Sequence, residues 1–223
     1  MALRTWAAWV AWVASSLPRQ RRLSLRAAGS ILRPALFWPL SYLDPVTEPI
    51  TYHIALGSNL GDRAQHLQSA VHAIHEAREC RVMAASSIWE TEAHVQPGQP
   101  DQPAFLNAVI ACESGLAPED LIELLFEIET QHGRDRSTKG RWQPRPLDLD
   151  IILAGANIVK TTKLDIPHPR LDQRRFVLGP LAEIAADVHV PSPFDERVGY
   201  LLSICPDQTD TVRYSPLQLP HRA

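Results

Sequence analysis

The chain has 223 residues, of which 45% are hydrophobic and 21% are charged, and its formal net charge at pH 7 is −3. This length allows one or two domains whose core needs no disulfide or structural metal, and the composition argues against a disordered chain or a general nucleic-acid binder. The three cysteines are widely spaced without a C-x-x-C pair, which argues against a zinc site or a disulfide framework and favours reduced thiols.

The first segment of the chain differs from the rest in charge. Residues 1–43 contain six arginines and no acidic residue, so the net charge of residues 44–223 falls to −9. An Arg-rich, Ser-containing and acid-poor segment is typical of a transit peptide, and Arg4 before a short apolar run weakly resembles a signal peptide. We favour a disordered extension over residues 1–49, or translated sequence upstream of the true start, and we place one functional domain at residues 50–223. We therefore expect a cytoplasmic protein, with an organellar location as the alternative.

The remaining sequence predicts a β-α-β-β-α-β succession followed by shorter helices. Strands are indicated by β-branched and aromatic runs, helices by apolar residues at helical spacing such as Leu67, Val71 and Ile74, and loops by clusters of proline, glycine and charge. In chain order, the predicted elements are a strand over 51–57, a helix over 63–79, strands over 81–93 and 104–114, a helix over 118–133, a loop over 134–145, a strand over 146–153, a short or broken helix over 174–185, an edge strand over 188–191 and a helix over 194–205. This order indicates an α+β ferredoxin-like sandwich with appended C-terminal helices.

The fourth predicted strand carries two carboxylates inside the apolar stretch PLDLDIIL. Because residues two apart in a strand project from the same face, Asp148 and Asp150 should point together. Two like charges this close repel, so one would take up a proton unless a cation lies between them. That cation could be an arginine or a metal, and oxygen ligands on a rigid strand suit Mg²⁺. The D-x-D pattern alone leaves open whether each aspartate merely pairs with an arginine.

Two basic clusters flank this strand. They consist of Arg134, Arg136, Lys139, Arg141 and Arg145 before the strand, and of His168, Arg170, Arg174 and Arg175 after it. Carboxylates that bind a metal, a metal that bridges phosphate oxygens and arginines that neutralise the remaining charge are the parts of a phosphoryl-transfer site. Because the chain has neither a Walker A sequence nor a kinase-type glycine-rich loop, a phosphate donor would be held mainly by arginines and metal.

A second group of residues suits a flat heterocyclic acceptor. Phe105 and Asn107 lie two apart on the third predicted strand and therefore share a face. The asparagine amide can both donate to and accept from the edge of a ring, and an aromatic side chain can stack on its face. Phe176 could cover the opposite face. Core packing is the alternative role for both phenylalanines.

Four stretches of the chain resemble, in the same order, those of the 6-hydroxymethyl-7,8-dihydropterin pyrophosphokinases of folate biosynthesis. They are ALGSNLGDR (55–63), QPAFLNAV (102–109), GRWQPRPLDLDIIL (140–153) and IPHPRLDQRRFVLGPL (166–181). The resemblance implies an ATP-dependent diphosphokinase that transfers the β,γ-pyrophosphoryl group of ATP to the pterin hydroxymethyl oxygen and leaves AMP. It implies two Mg²⁺ ions, ATP and 6-hydroxymethyl-7,8-dihydropterin as substrates, and neither nucleic acid nor membrane as partner. We expect a monomer.

The resemblance also implies a role for each candidate residue. The metal ligands would be Asp148 and Asp150. His168 and Arg174 would contact the ATP phosphates. Arg134 and Arg145 would belong to the mobile active-site loop, and Trp142 would close over the nucleotide. The residues that bind the edge and the two faces of the pterin would be Asn107, Phe105 and Phe176.

One loop departs from the family pattern, and two other functions remain as alternatives. The proline and glycine that usually follow the threonine matching Thr91 are displaced to Pro97 and Gly98, so the wall of the pterin pocket should differ in shape. A metal-dependent nucleotide-sugar transferase could use the D-x-D but normally needs a larger nucleotide-binding domain. A non-catalytic ferredoxin-like module that binds RNA would need a basic face and an aromatic strand motif, which the net charge of −9 over 44–223 does not favour.

Overall fold

The computed structural model describes residues 48–93, 102–134 and 144–220, and the structural statements below refer to these ranges. The chain divides into units 1–44 and 45–223. The first unit, most of the predicted extension 1–49 and the candidate Trp142 lie outside the described residues.

The described part of the chain is an α+β structure with four α-helices. Its elements in chain order are β1 (Ile50–Ser58), α1 (Arg63–Glu76), β2 (Cys80–Ala85), β3 (Ser87–Thr91), β4 (Phe105–Ser114), α2 (Pro118–Gln131), β5 (Asp148–Ala154), β6 (Val159–Lys160), β7 (Asp165–Ile166), a 3₁₀ turn (Leu171–Gln173), α3 (Arg175–Ala185), β8 (His189–Val190), β9 (Glu196–Arg197), α4 (Val198–Ile204) and β10 (Thr211–Pro216). As far as β5 the elements follow the predicted order, except that β2 and β3 stand where one strand was predicted. No helix among the residues that the structure describes is long and apolar enough to cross a membrane.

The centre of the fold is a six-stranded antiparallel sheet in the order β10-β3-β4-β1-β5, with β2 also paired to β4. One face packs against α1 and α2, where Ile54 of β1 joins Leu67 and Leu125 in one apolar cluster. The other face packs against α3, where Ile152 and Leu178 belong to a second cluster, and α4 packs on α3. Because β1 is covered on both faces, its residues from Tyr52 to Ser58 are buried or partly buried whichever face they point to. The appended helices thus form a third layer.

Local sequence signals account for the two helices of the first layer. The Asp62 side chain accepts a hydrogen bond from the Gln65 N–H at 3.1 Å and caps α1, as short polar residues do at helix N-termini. Pro118 begins α2, with acidic residues in the first turn, and Gly133 follows the helix at φ +89°. The predicted helix boundaries near residues 63 and 118 are therefore confirmed.

The predicted second strand is in fact two strands. Ser86 interrupts it, with its N–H donating to the Val109 carbonyl and its Oγ accepting from the Val109 N–H, both at 2.9 Å. The break allows β2 to pair with the C-terminal half of β4 while β3 pairs with the N-terminal half. Strand β10 and the β6–β7 ribbon were also not predicted, although polar and apolar residues alternate in TVRYS. The helix over 174–185 is short, as predicted, and continues through Pro180.

A buried histidine in β1 should make stability depend on pH. His53 is 5% exposed, and burial lowers its pKa from 6.5 to about 4. The folded state therefore favours neutral His53. The stability that this preference contributes is fully present above pH 6.5 and is lost as pH falls toward 4. We expect His53→Leu to remove about 3 kcal/mol of this loss, since one pKa unit is worth about 1.4 kcal/mol.

Chemical unfolding of the parent and His53→Leu proteins between pH 7 and pH 4 measures this effect. His72→Leu is the matched control, because His72 is an exposed histidine on the neighbouring helix α1. An acid dependence that is the same in the His53→Leu protein as in the parent would contradict the assignment. His168, whose pKa is also lowered to about 4, contributes with the same sign, and Asp150, whose pKa is raised to about 6, contributes with the opposite sign. The difference between the two proteins therefore isolates the effect of His53.

Candidate active site

One row of paired residues crosses the sheet and contains two of the candidate site residues. Asn107 on β4 pairs with Gly57 on β1, which pairs in turn with Asp148 on β5. The next row on β5 places Asp150 opposite Ala55 of β1. Because neighbouring strands lie about 4.8 Å apart, the amide of Asn107 and the carboxylate of Asp148 are separated by one strand on the same face of the sheet.

Gly57 leaves a gap between these two polar groups. A Cβ atom at this position would lie 3.4 Å from Asn107 Oδ1 and 3.8 Å from Asp148 Cβ. This glycine lies within β1, as the predicted strand over 51–57 has it, and the turn that follows contains Gly61 at φ +70°. Gly57 therefore provides space between the amide and the carboxylate.

The two aspartates of β5 point together, as the strand periodicity predicted. Leu149 and Ile151 are buried in the cluster beneath α1 and α2, whereas Asp148 and Asp150 line the same two cavities. Asp148 Oδ1 accepts a hydrogen bond from Arg134 Nη1 at 2.5 Å. Each aspartate is therefore fixed by the fold at the edge strand of the sheet, with its carboxylate accessible to a ligand.

Basic side chains from both predicted clusters reach these carboxylates. Arg145 Nε lies 3.5 Å from Asp148 Oδ2, and His168 Nε2 lies 3.5 Å from Asp150 Oδ2. Arg174 lines the smaller of the two cavities together with both aspartates. The structure thus brings Arg134, Arg145, His168 and Arg174 to one carboxylate pair, although they come from separate parts of the chain.

The electrostatics of the site favour a cation at the aspartate pair. Burial and the neighbouring Asp148 carboxylate raise the pKa of Asp150 to about 6, and the Arg174 guanidinium opposes this rise. Burial together with the charges of Arg174 and Arg170 lowers the pKa of His168 to about 4. Neutral His168 accepts a hydrogen bond from the Arg170 N–H at Nδ1, so its remaining N–H, at Nε2, faces Asp150.

The donor set suits Mg²⁺ that is shared with a phosphate ligand. No group of three or more His, Cys, Asp or Glu side chains that could hold a metal occurs in the described ranges. Asp148 and Asp150 would therefore contribute two carboxylates. Mg²⁺ in nucleotide sites is typically bound by one or two carboxylates, with phosphate oxygens and water completing its shell. The residues present fit that ion.

The larger cavity, of about 330 Å³, begins at the aspartate pair. Ile122, Phe126 and Leu164 provide an apolar wall, and Lys163 and His168 provide polar groups. Its volume lies within the range of small-molecule sites, about 300 to 1,000 Å³. Four lining residues were not predicted from the sequence: Ile122, Phe126, Lys163 and Leu164. They come from α2 and from the β6–β7 ribbon, whose proximity to β5 no local pattern reveals.

The smaller cavity, of about 50 Å³, lies beside the larger one and is lined by Gly57, Asn107, Arg174 and Phe176. Phe105 is not part of its lining, although a Cβ at Gly57 would lie 3.9 Å from Phe105 Cδ1. A volume of 50 Å³ is well below the lower limit of about 300 Å³ for typical ligand sites. A bicyclic ligand could enter here only after side chains move.

Guanidinium groups cover the two candidate stacking rings. The Arg145 guanidinium carbon lies 6.0 Å from the centroid of Phe105, and that of Arg174 lies 5.8 Å from the centroid of Phe176. Such contacts are weak at partly exposed positions, about 0.5 to 1 kcal/mol. Both arginines can therefore leave the rings at little cost. Movement of Arg174, which lines the smaller cavity, would widen it.

Hydrogen bonds fix the asparagines near the site. Asn107 Nδ2 donates to Thr91 Oγ1 at 2.8 Å, which orients its amide within the row. Asn59 Oδ1 accepts from the Arg145 N–H at 2.8 Å, and its Nδ2 donates to Gln102 Oε1 at 3.2 Å. Buried Asn59 thus ties the segment before β5 to the segment before β4, a role that was not predicted from the sequence.

The sequence is similar to those of one protein family. Residues 53–186 match the family described as 7,8-dihydro-6-hydroxymethylpterin-pyrophosphokinase (HPPK). The chain is 44% identical over 136 residues to the 2-amino-4-hydroxy-6-hydroxymethyldihydropteridine pyrophosphokinase of Bacillus subtilis, an alignment that covers 61% of this chain and 78% of that protein. It is 39% identical over 154 residues to the protein of the same name from Pseudomonas aeruginosa, with 69% and 91% covered.

Solved structures resemble the fold at much lower identity. One is a crystal structure of an HPPK-DHPS in complex with substrates, with a TM-score of 0.53, 12% identity, and coverage of 70% of this chain and 43% of that chain. Another is a Plasmodium falciparum HPPK-DHPS, with a TM-score of 0.55, 11% identity, and coverage of 72% and 46%. The chain spans less than half of these solved chains, and the likeness concerns the fold alone.

Proposed function

The chain belongs to the 7,8-dihydro-6-hydroxymethylpterin-pyrophosphokinase family, and from that premise we propose how its residues perform the reaction. It is an ATP-dependent diphosphokinase of folate biosynthesis, which transfers pyrophosphate from ATP to the hydroxymethyl group of 6-hydroxymethyl-7,8-dihydropterin. The observation that carries the proposal is the row across the sheet. Two neighbouring aspartates, whose charges repel, lie one strand away from a fixed amide, and a cavity of about 330 Å³ lies alongside.

We assign the phosphate side of the reaction to the aspartate pair and the basic residues around it. Asp148 and Asp150 would hold two Mg²⁺ ions, which when bound neutralise charge on the phosphates. Arg134, Arg145 and Arg174 would bind phosphate oxygens, because guanidinium groups match them in a bidentate manner. The nucleotide base would occupy the larger cavity against its apolar wall.

We assign the pterin side to Asn107 and the two phenylalanines. The Asn107 amide, oriented by Thr91, offers an acceptor and a donor to the edge of the ring. Phe105 and Phe176 would stack on the faces of the ring once Arg145 and Arg174 move from their aromatic contacts toward the phosphates. The hydroxymethyl group would then lie over Gly57, where the missing side chain leaves room beside Asp148.

The transfer itself requires alignment more than covalent chemistry. The hydroxymethyl oxygen forms a bond to the β-phosphorus, the bond from that phosphorus to the α,β-bridging oxygen breaks, and AMP leaves. The hydroxyl proton is released. Neutral His168, with Nδ1 already accepting from the Arg170 N–H, would present its Nε2–H as a donor to an oxygen and would not serve as the base.

The strand order also supports the finer description of the fold. With β2 and β3 counted as one interrupted strand, the sequence positions of the four central strands run second, third, first, fourth across the antiparallel sheet. This is the order of a ferredoxin-like βαββαβ unit, and α1 and α2 cover the same face. We propose that the domain is such a sandwich, extended by β10 and by the layer of α3 and α4.

The direct test incubates the protein with ATP, Mg²⁺ and 6-hydroxymethyl-7,8-dihydropterin and measures the nucleotide products. We expect AMP and the pterin diphosphate in equal amounts. Reactions without the pterin control for ATP hydrolysis, and reactions with a nucleotide sugar in place of ATP test the transferase alternative. Release of ADP instead of AMP, or AMP release that does not depend on the pterin, would contradict the proposal.

A further inference from the structure

A buried carboxylate in α2 lies behind the aspartate pair. Glu129 is 0% exposed, and its Oε1 accepts a hydrogen bond from the backbone N–H of Leu149 at 2.7 Å. The same oxygen accepts a hydrogen bond from Arg134 Nη1, which also donates to Asp148 Oδ1. Arg134 therefore bridges Glu129 and Asp148.

The contact with Leu149 fixes the strand at the site itself. Leu149 lies between Asp148 and Asp150 on β5, which is an edge strand of the sheet. An edge strand has N–H groups without a partner in the sheet, and Glu129 satisfies the one between the two aspartates. Glu129 therefore anchors the backbone between the two aspartates.

Packing alone does not explain a charge at this position. Glu129 lies four residues after Leu125 on the apolar stripe of α2, where a leucine or methionine would fill the same space. A buried ion pair is often no more stabilising than apolar residues of similar volume, because both charges lose their hydration. The carboxylate is therefore better explained by its effect on the neighbouring site.

We propose that Glu129 is a positioning residue that keeps Asp148 available to the metal, an inference that rests on the proposed function. Because Glu129 shares the guanidinium of Arg134, the group of Glu129, Arg134 and Asp148 keeps one formal negative charge. Without the Glu129 charge, Arg134 would neutralise Asp148 alone. The site would then attract a divalent cation less strongly, although both metal-ligating carboxylates would still be present.

The test replaces Glu129 by glutamine, which keeps an acceptor for the Leu149 N–H but removes the charge. Calorimetric binding of a non-hydrolysable ATP analogue, titrated with Mg²⁺, should require about 10- to 100-fold more Mg²⁺, the range seen for residues that orient metal ligands. The KM for the pterin should not change. Hydrogen exchange at the Leu149 amide should stay slow in Glu129→Gln and become faster in Glu129→Ala. Glu127→Gln is the matched control, because Glu127 is exposed on the same helix.

A second variant separates the charge effect from damage to the fold. In Glu129→Gln/Arg134→Gln the unshared positive charge is absent, so the Mg²⁺ requirement of analogue binding should fall below that of Glu129→Gln. Such non-additivity is the signature of residues that act as a unit. The affinity for the analogue at saturating Mg²⁺ should still drop, because Arg134 is also assigned to the phosphates. An unchanged Mg²⁺ requirement in Glu129→Gln, in a protein where Asp148→Asn does raise it, would overturn the positioning role and leave the proposed function standing. If Asp148→Asn had no effect either, the metal role in the proposed function would fail.

Discussion

Asp150→Asn should lower the rate of pyrophosphoryl transfer by about a thousandfold, the upper range for the loss of one preorganised electrostatic group. The substitution keeps the shape of the side chain and removes a ligand for the cation. It should not harm folding, because burial and the Asp148 charge already disfavour the ionised form of Asp150 and raise its pKa to about 6. Steady-state production of AMP and a thermal unfolding curve measure the two effects separately.

The pH profile gives an independent check on the same residue. The acid form of Asp150 binds a cation poorly, so kcat/KM for ATP at constant Mg²⁺ should fall as pH drops through about 6, the pKa of this carboxyl in the free enzyme. His168 does not account for such a limb, since its pKa is lowered to about 4. Asp187→Asn, at an exposed aspartate that pairs with Arg197, is the control. Near-normal turnover of Asp150→Asn in Mg²⁺ would exclude the metal role.

Asn107→Ala should raise the KM for the pterin by roughly 5- to 150-fold and leave the KM for ATP unchanged. This range corresponds to about 1 to 3 kcal/mol for a buried polar group that loses its partner. The selectivity follows from the row across the sheet, since Asn107 and Asp148 are separated by β1. Separate titrations of each substrate at saturating concentration of the other measure the two constants.

Thr91→Val tests whether the orientation of the amide matters. It removes the hydroxyl that accepts from Asn107 Nδ2 and keeps the shape of the side chain, so the KM for the pterin should rise, but less than in Asn107→Ala. Equal losses of ATP and pterin binding in Asn107→Ala would contradict the assignment. A Thr91→Val protein with a larger pterin defect than Asn107→Ala would show that Thr91, and not the amide, makes the decisive contact.

The sequence determined those features that depend on short-range periodicity. The alternation of PLDLDIIL placed Asp148 and Asp150 on one face, and the same rule paired Phe105 with Asn107. Apolar residues at helical spacing located α1, and Pro118 with the acidic residues that follow it located the start of α2. These predictions succeeded because the backbone geometry that produces them extends over only a few residues.

Only the tertiary structure decided which of these groups meet. The register between β1, β4 and β5 placed Gly57 as a gap between Asn107 and Asp148, and the packing of α2 brought Glu129 to the Leu149 N–H. The one sequence signal for Glu129 was a charged residue on an apolar stripe. Strand pairing and helix packing join residues that lie tens of positions apart, and the burial and charge that result, not the residue types alone, set the chemistry of the site.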